Sequence, residues 1–303
     1  ICKIESQPTT YDLGFILGPR INAGGRVGKA SHGLELLLCN DPQKAYKIAT
    51  DLDVSNQERK SIEHILTEKV LKEVEKYHNH PVLVLAGNSW HEGVIGIVAS
   101  RIKDKFNKPT FLISLNENIG KGSARSVFGF DIGTQIIKAT QLGILQKGGG
   151  HKMAGGFSIK KEKIDIFRDQ LIKDYEKLKL STFENENIYI DSILAPSAIN
   201  NEFYEDINSL APFGSGNNEP KFMIENLKVI NSNVVANNHI KSILLGKDGT
   251  IIKAFTWNAV NTPLESVLNK ENKKLFHVTG KLRLNEWKGN KNIDFLIEDL
   301  SVC

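Results

Sequence analysis

The sequence predicts a multidomain α/β and β protein, with a long connecting helix, a small α/β domain and a C-terminal β-barrel. Three observations predict it. Apolar residues recur at helical spacing from Ala45 to Val74, and a strand–helix–strand rhythm runs from Pro81 to Ser114. Beyond Ser181 six short apolar runs are separated by turn signals. At 303 residues the chain also exceeds what one core usually organises.

Residues 1–40 are glycine-rich and read as irregular, apart from a short apolar helix at Gly33–Leu38. Asp41-Pro42 has the form of an N-cap followed by proline in the first turn. From there Ile48, Leu52, Ile62, Leu66, Val70 and Val74 mostly keep helical spacing to about Tyr77, with Glu58, Arg59, Lys60, Glu68 and Lys72 opposite. Such a helix measures about 50 Å at 1.5 Å per residue, with room for a break at Ser55-Asn56.

Pro81–Ala86 is a continuous apolar run, typical of a strand buried on both faces. An amphipathic helix follows through Val94, Val98, Ile102 and Phe106, then a strand at Thr110–Ser114. A strand around Gly122–Val127, a helix from about Asp131, a glycine-rich turn, a strand at Phe157–Ile159 and a charged helix at Lys161–Lys177 complete the α/β domain. The later strands are expected at Ile188–Ile193, Phe222–Ile230, Ile240–Leu245, Ile251–Asn258, Phe276–Leu284 and Ile293–Leu300. Short helices are expected near Ala198–Leu210 and Pro263–Asn269. This pattern suits a small barrel of oligonucleotide-binding type.

Composition narrows the class without naming a function. Hydrophobic content of 40% and charged content of 24% are ordinary for a globular protein. The net charge of +4 suits a polyanionic partner without requiring one. No apolar run approaches the roughly 20 residues of a membrane span, and no signal-peptide pattern opens the chain. Cys2, Cys39 and Cys303 form no Cys-x-x-Cys pair and read as reduced thiols of a cytoplasmic protein. The opening at Ile1 reads like the interior of a domain, which points to the C-terminal portion of a longer protein.

Four segments carry candidate chemistry. Gly148-Gly-Gly-His-Lys-Met-Ala-Gly-Gly156 places five glycines beside His151 and Lys152. Backbone N–H groups can converge there on a phosphate, with the His151 imidazole and the Lys152 ammonium beside them; the stretch reads equally as a plain turn. Asn88-Ser-Trp-His-Glu-Gly93 lies between a strand and a helix, where His91 either meets an anion or caps the helix. In Lys121-Gly-Ser-Ala-Arg-Ser126, Ser123 and Arg125 share one face of a strand, a geometry suited to a bidentate phosphate contact. The spacing is not that of a P-loop, so triphosphate binding is excluded. Gly18-Pro-Arg-Ile-Asn-Ala-Gly-Gly-Arg26 holds Arg20, Asn22 and Arg26 in what reads as a loop too glycine-rich for a helix. Its arginines suit a phosphate clamp or a salt bridge to a domain outside the chain.

No metal site is apparent. The eight histidines are scattered, and Asp51 and Asp53 face different ways on a helix. Hydrolysis of a phosphodiester normally calls for two clustered metals, so the chain reads as substrate-binding parts without the reaction centre. Near the C-terminus Phe255, Trp257, Arg283, Trp287, Lys288 and Lys291 offer stacking surfaces and a basic track for a single strand.

Taken in order, these segments resemble the RecJ family of single-strand-specific DNA exonucleases, within the Asp-His-His phosphoesterase superfamily. Leu13–Arg26 looks like the end of the family's catalytic domain (residues 1–40), and Asn56-Gln-Glu-Arg59 falls on its connecting helix (41–78). Trp90–Arg101, Gly122–Ser126 and Gly149–Gly156 belong to its associated substrate-binding domain (79–182). Ala211–Pro220 resembles a segment of its oligonucleotide-binding domain (183–303).

The resemblance implies a 5′→3′ exonuclease using Mn²⁺ or Mg²⁺, which releases 5′-mononucleotides in recombination and repair. The metals would be bound upstream of Ile1. Single-stranded DNA would be the substrate, with a single-strand-binding protein and other repair factors as partners. Ser123 and Arg125, with Arg20 or Arg26, would bind phosphates near the 5′ end, in a set that includes Asn22, His91 and Ser126. Gly149, Gly150 and a catalytic His151 would hold the scissile phosphate or its neighbour. Gly25 and Gly155 stand where the family usually has alanine, which implies extra flexibility. Two rivals are a phosphodiesterase of the same superfamily for cyclic dinucleotides or short RNAs, and a non-catalytic single-strand-binding module.

Overall fold

In the computed structural model, which describes residues 1–4, 7–178, 187–287 and 290–303, the first forty residues are more helical than their glycine content predicts. Asp12–Leu17 winds directly into helix α1 (Gly18–Val27), the segment expected to be a loop. Pro19 suits the first helical turn, and Ala23 and Gly24 are buried, with Gly24 close to Leu52. Burial against a neighbouring helix thus overrides the weak helical preference of three glycines. Helix α2 (His32–Leu37) follows.

Helix α3 (Pro42–Val74) runs 33 residues without the break allowed for at Ser55-Asn56. The Asp41 carboxylate caps it by accepting from the backbone N–H groups of Gln43 and Lys44. At the suspected break, Ser55 donates its hydroxyl back to the Asp51 carbonyl, while Asn56 is wholly buried. The buried row Ile48, Leu52, Asn56, Glu63, Leu66, Val70 and Val74 is therefore continuous.

The α/β domain contains β1 (Leu83–Asn88), α4 (Glu92–Phe106), β2 (Thr110–Asn116), β3 (Ile119–Arg125), α5 (Ile132–Gln141), β4 (Leu145–His151), β5 (Ala154–Lys160) and α6 (Ile164–Lys177). Its sheet has the order β1-β2-β3-β5-β4, with β1 and β2 parallel and the other pairs antiparallel. One face packs Phe111, Ile113 and Phe157 with Ile136 of α5 and Phe167 of α6. The other packs Leu83, Leu85 and Leu112 with Val98 of α4 and Val70 of α3. The glycine-rich stretch is a hairpin rather than a turn. Gly148–Gly150 lie in β4, Gly155 and Gly156 lie in β5, and only Lys152-Met153 connects them.

The chain folds as two compact units, Ile1–Glu184 and Asn185–Cys303; the boundary expected at 182/183 lies outside the described residues. The second unit contains β6 (Ser192–Leu194), α7 (Asn201–Asn208), β7 (Phe222–Val235), β8 (His239–Leu245), β9 (Ile251–Thr256), α8 (Pro263–Leu268), β10 (Phe276–Trp287) and β11 (Asn290–Val302). Pairing runs β7-β8-β9-β11-β10 and returns to β7, which closes a five-stranded barrel of the oligonucleotide-binding type. Ile224, Leu244, Ile252, Phe276 and Phe295 fill it. Among the described residues no helix is long and apolar enough to cross a membrane.

Candidate nucleic-acid interface

The site forms where α1, the start of α4 and the end of β3 meet. His91 is the N-cap of α4, and its Nδ1 accepts the Gly93 N–H at 3.2 Å. Ser114 fixes the loop before it by donating its hydroxyl to the Trp90 carbonyl. Gly93 and Gly96 lie one helical turn apart on α4. A β-carbon at Gly93 would collide with the Arg26 carbonyl, and one at Gly96 would stand 2.9 Å from Ser123 Oγ and 3.1 Å from Arg125 Nη2. The two glycines let α1 press on the first turn of α4 and let Ser123 and Arg125 lie along it.

Two guanidinium groups meet there. Arg26 donates from Nη1 to the Gly93 carbonyl at 3.1 Å, and Arg125 donates to Ser123 Oγ at 3.3 Å and to the Ala124 carbonyl at 2.8 Å. Among the described residues neither has a carboxylate partner within ion-pair distance. Burial, and then the positive charge of Arg26, holds Arg125 below its ordinary pKa. A guanidinium remains charged under these conditions, so the pair leaves positive charge uncompensated beside a helix N-terminus.

Strand register extends the site across the sheet. Arg125 pairs with Ala154, and Ala154 pairs with His151. Directly opposed residues share a face, so Arg125 and His151 stand on one side about 10 Å apart, two strand spacings. The next row is Ser123, Gly156 and Gly149. An added β-carbon at Gly149 would meet nothing within 4 Å, and one at Gly156 only the Gly122 carbonyl at 3.7 Å. Gly156 and Gly149 thus leave a floor free of side chains beside the Arg125–Ala154–His151 row, and within that row only the Ala154 methyl stands between the arginine and the histidine. Lys121 and Lys147 edge it one row further on, with Lys121 paired to Glu92 at 2.7 Å. Strand β4 is an edge strand, so alternate backbone N–H groups beside Gly149 and Gly150 point away from the sheet.

The structure separates the expected site residues. Arg26, His91, Ser123 and Arg125 come together, with Gly149, Gly150 and an exposed His151 on the adjoining hairpin. Asn22, exposed, lies four residues before Arg26 and shares its face of α1. Arg20 does not join them. Its Nε donates to Asp53 at 2.7 Å and its Nη1 to the Ile16 carbonyl at 2.8 Å, so it ties α1 to α3. Ser126 is also structural, being 1% exposed with its hydroxyl bonded to the Phe130 carbonyl at 2.5 Å. Gly155 is not a slack position, because Ile136 and Ile132 fill the space a β-carbon would take. Gly93, Gly96 and Lys147 were not singled out from the sequence. Only the tertiary approach of α1 and β3 to α4, and the register of β4, reveal them.

On the barrel, Trp257 is 49% exposed just past β9. Its ring centroid lies 4.5 Å from that of His239 and 4.8 Å from that of Phe255, and the Arg283 guanidinium stands 5.6 Å from it. An aromatic group with a cation beside it is suited to stacking on bases. The side chain of Trp287 and all of Lys288 lie outside the described residues.

Comparison with known proteins follows this division. The DHHA1 domain family matches residues 79–177 and the RecJ OB domain family matches residues 190–299. The single-stranded-DNA-specific exonuclease RecJ of Haemophilus influenzae is 34% identical over 310 residues, covering 96% of this chain and 52% of that protein. RecJ of Escherichia coli is 31% identical, over 95% of this chain and 51% of that protein. The chain therefore spans about half the length of these relatives. The crystal structure of RecJ in complex with Mn²⁺ from Thermus thermophilus shares the fold. Its TM-score is 0.81 at 24% identity, over 98% of this chain and 42% of that one. With both domain families in order and similarity along nearly its whole length, the chain belongs to the RecJ family.

Proposed function

We propose that this chain is the substrate-holding portion of a single-stranded-DNA-specific 5′→3′ exonuclease that releases 5′-mononucleotides in recombination and repair. The observation that carries the reading is the pair Arg26 and Arg125, held without a carboxylate at the start of α4. Two guanidiniums, a serine hydroxyl and a helix N-terminus suit a terminal phosphate, the most highly charged group on a 5′-phosphorylated strand. Anchoring that end sets the polarity. From there the backbone lies across the glycine floor toward His151, which contacts the scissile or adjacent phosphate. On the barrel, the aromatic group around Trp257 offers its own surface for stacking on bases.

A divalent metal does not fit among these residues. Among the described residues no three His, Cys, Asp or Glu side chains lie close enough to share an ion, so no hydrolytic step is derived from them. RecJ structures from Thermus thermophilus contain Mn²⁺ or Mg²⁺, which supports use of such a metal by the whole enzyme, held outside this chain. A single-strand-binding protein and other repair factors are the protein partners of this reading. Three free cysteines suit a reducing, cytoplasmic setting. A second reading, in which this portion alone binds strands without cleaving them, is suited to a chain that spans about half the length of its relatives.

The test is fluorescence anisotropy of the 303-residue chain with a labelled 5′-phosphorylated single strand and its duplex at several salt concentrations. Preference for the single strand, with affinity falling steeply as salt rises, is expected. Equal binding to both forms, or none, overturns the reading.

A further inference from the structure

We propose that Phe128 is a stacking platform for the nucleobase attached to the phosphate held by Arg125, an inference that rests on the reading above. Phe128 is 82% exposed, an unusual position for a phenylalanine. The loop that carries it is well fixed. Before it, Ser126 donates its backbone N–H to the Met153 carbonyl at 2.9 Å and its hydroxyl to the Phe130 carbonyl. After it, Gly129 turns the chain at φ +87°, Phe130 is sunk in the core at 1% exposure, and Ile132 donates to the Lys152 carbonyl at 3.0 Å. Both flanks are pinned to the hairpin turn or the core, and the ring between them is held outward. Holding it there limits the ordering cost of binding.

Position selects the occupant. Phe128 lies three residues past Arg125, at most about 10 Å along the chain. Its loop is bonded to the turn that follows His151, so it stands at the sheet end where Arg125 and His151 lie. Half-exposed Met153, on that turn, adds a polarizable thioether nearby. An aromatic ring beside a phosphate-binding cation matches a nucleotide, whose base offers a π-face whatever its identity. An apolar protein surface would satisfy the ring but leave Arg26 and Arg125 uncompensated.

The experiment compares the chain with its Phe128→Ala, Phe128→Trp and Arg125→Ala variants. Each is titrated with a 5′-phosphorylated single strand and with the same strand made abasic at its first two nucleotides. Stacking contributes about 1–3 kcal/mol per base, or about 5- to 150-fold in affinity. F128A is expected to lose affinity in that range for the normal strand and almost none for the abasic one. F128W is expected to retain affinity, with its fluorescence quenched by the normal strand. R125A is expected to weaken binding of both strands. If R125A weakens binding but F128A does not, or if F128A weakens both strands equally, the stacking role is overturned while the phosphate site stands. If neither variant matters, or the chain binds neither strand, both readings fail. Thermal melting of each variant checks folding.

Discussion

Arg26 and Gly93 hold one another in both directions. The Arg26 guanidinium donates to the Gly93 carbonyl, while the Arg26 carbonyl occupies the place a β-carbon on residue 93 would need. The contact joins the last turn of α1 to the first turn of α4, and it brings Arg26 within electrostatic reach of Arg125. Gly93→Ala should therefore force backbone away from backbone. We expect a loss of roughly 1–3 kcal/mol of stability from overpacking, with weaker oligonucleotide binding. Unchanged melting and affinity would show that the two helices do not need this approach.

Arg125 and Arg20 should behave oppositely. Losing a charged hydrogen-bond partner costs about 1.5–3 kcal/mol, so Arg125→Ala should weaken binding of a 5′-phosphorylated strand roughly 10- to 150-fold. It should also reduce the salt slope by about one. Arg125→Lys should not restore affinity, because an ammonium lacks the planar fork. Arg20→Ala should instead lower the melting temperature by breaking the Asp53 pair, with little change in affinity. Paired titrations and melts separate the two roles, and binding lost equally in both variants contradicts them.

The hairpin offers a contrast between adjacent residues. At Gly149 an added methyl meets open space, whereas at Gly150 it collides with the Ala154 carbonyl and stands 2.6 Å from Gly155 Cα. Gly149→Ala should fold normally yet obstruct the bare floor and weaken strand binding. Gly150→Ala should lose roughly 1–3 kcal/mol of stability. Denaturation curves and binding isotherms on both variants decide it. A Gly149→Ala protein with native affinity would mean that the strand does not cross there.

Asp174 gives a pH-dependent prediction. Burial pushes its pKa up, but hydrogen bonds from Lys138 and Gln170, with the Lys138 charge, outweigh this and hold it below 3.8. A depressed carboxylate contributes stability that is present above its unfolded pKa and lost as pH falls through the folded value. Asp174→Asn should thus cost roughly 1.5–3 kcal/mol near pH 7. The difference from the parent chain should shrink below pH 3.8, as measured by urea denaturation across the acid range. A difference that stays constant down to low pH would rule out the ionised pair as its source.

Much of this architecture was legible because local and tertiary signals agree. Asp41-Pro42 does start a helix, the apolar run at Pro81–Ala86 does lead into a buried strand, and five of the six late runs form strands, whereas Ile188–Ile193 supplies only Ser192 and Ile193 to the short β6. The reading failed where packing decides against local preference. Gly18–Arg26 looks like a loop by composition, but its buried Gly24 lets α1 lie close to α3, and Gly93 of α4 lets α1 lie close to α4. Once that segment is helical, Arg20 and Arg26 lie about 120° apart around the axis, at 3.6 residues per turn. They cannot form one clamp, whereas Asn22 and Arg26 share a face. Ser123 and Arg125 were readable because alternation along a strand is a local property. The partnership of Arg26 with Arg125 came only from the family resemblance, which left Arg20 as an equal choice, because 98 intervening residues must fold before local pattern can show it.

The unbroken α3 acts as a gauge. Its first half bears α1 through Leu52, and its second half bears α4 through Leu66, Val70 and Val74. The separation of Arg26 from Arg125 is therefore counted in helical turns. One residue inserted between Leu52 and Leu66 would swing one half against the other by about 100° and lengthen the rod by about 1.5 Å. Seven would nearly restore the angle but part the halves by about 10 Å. This rod can change its letters on the solvent side far more freely than it can change its length.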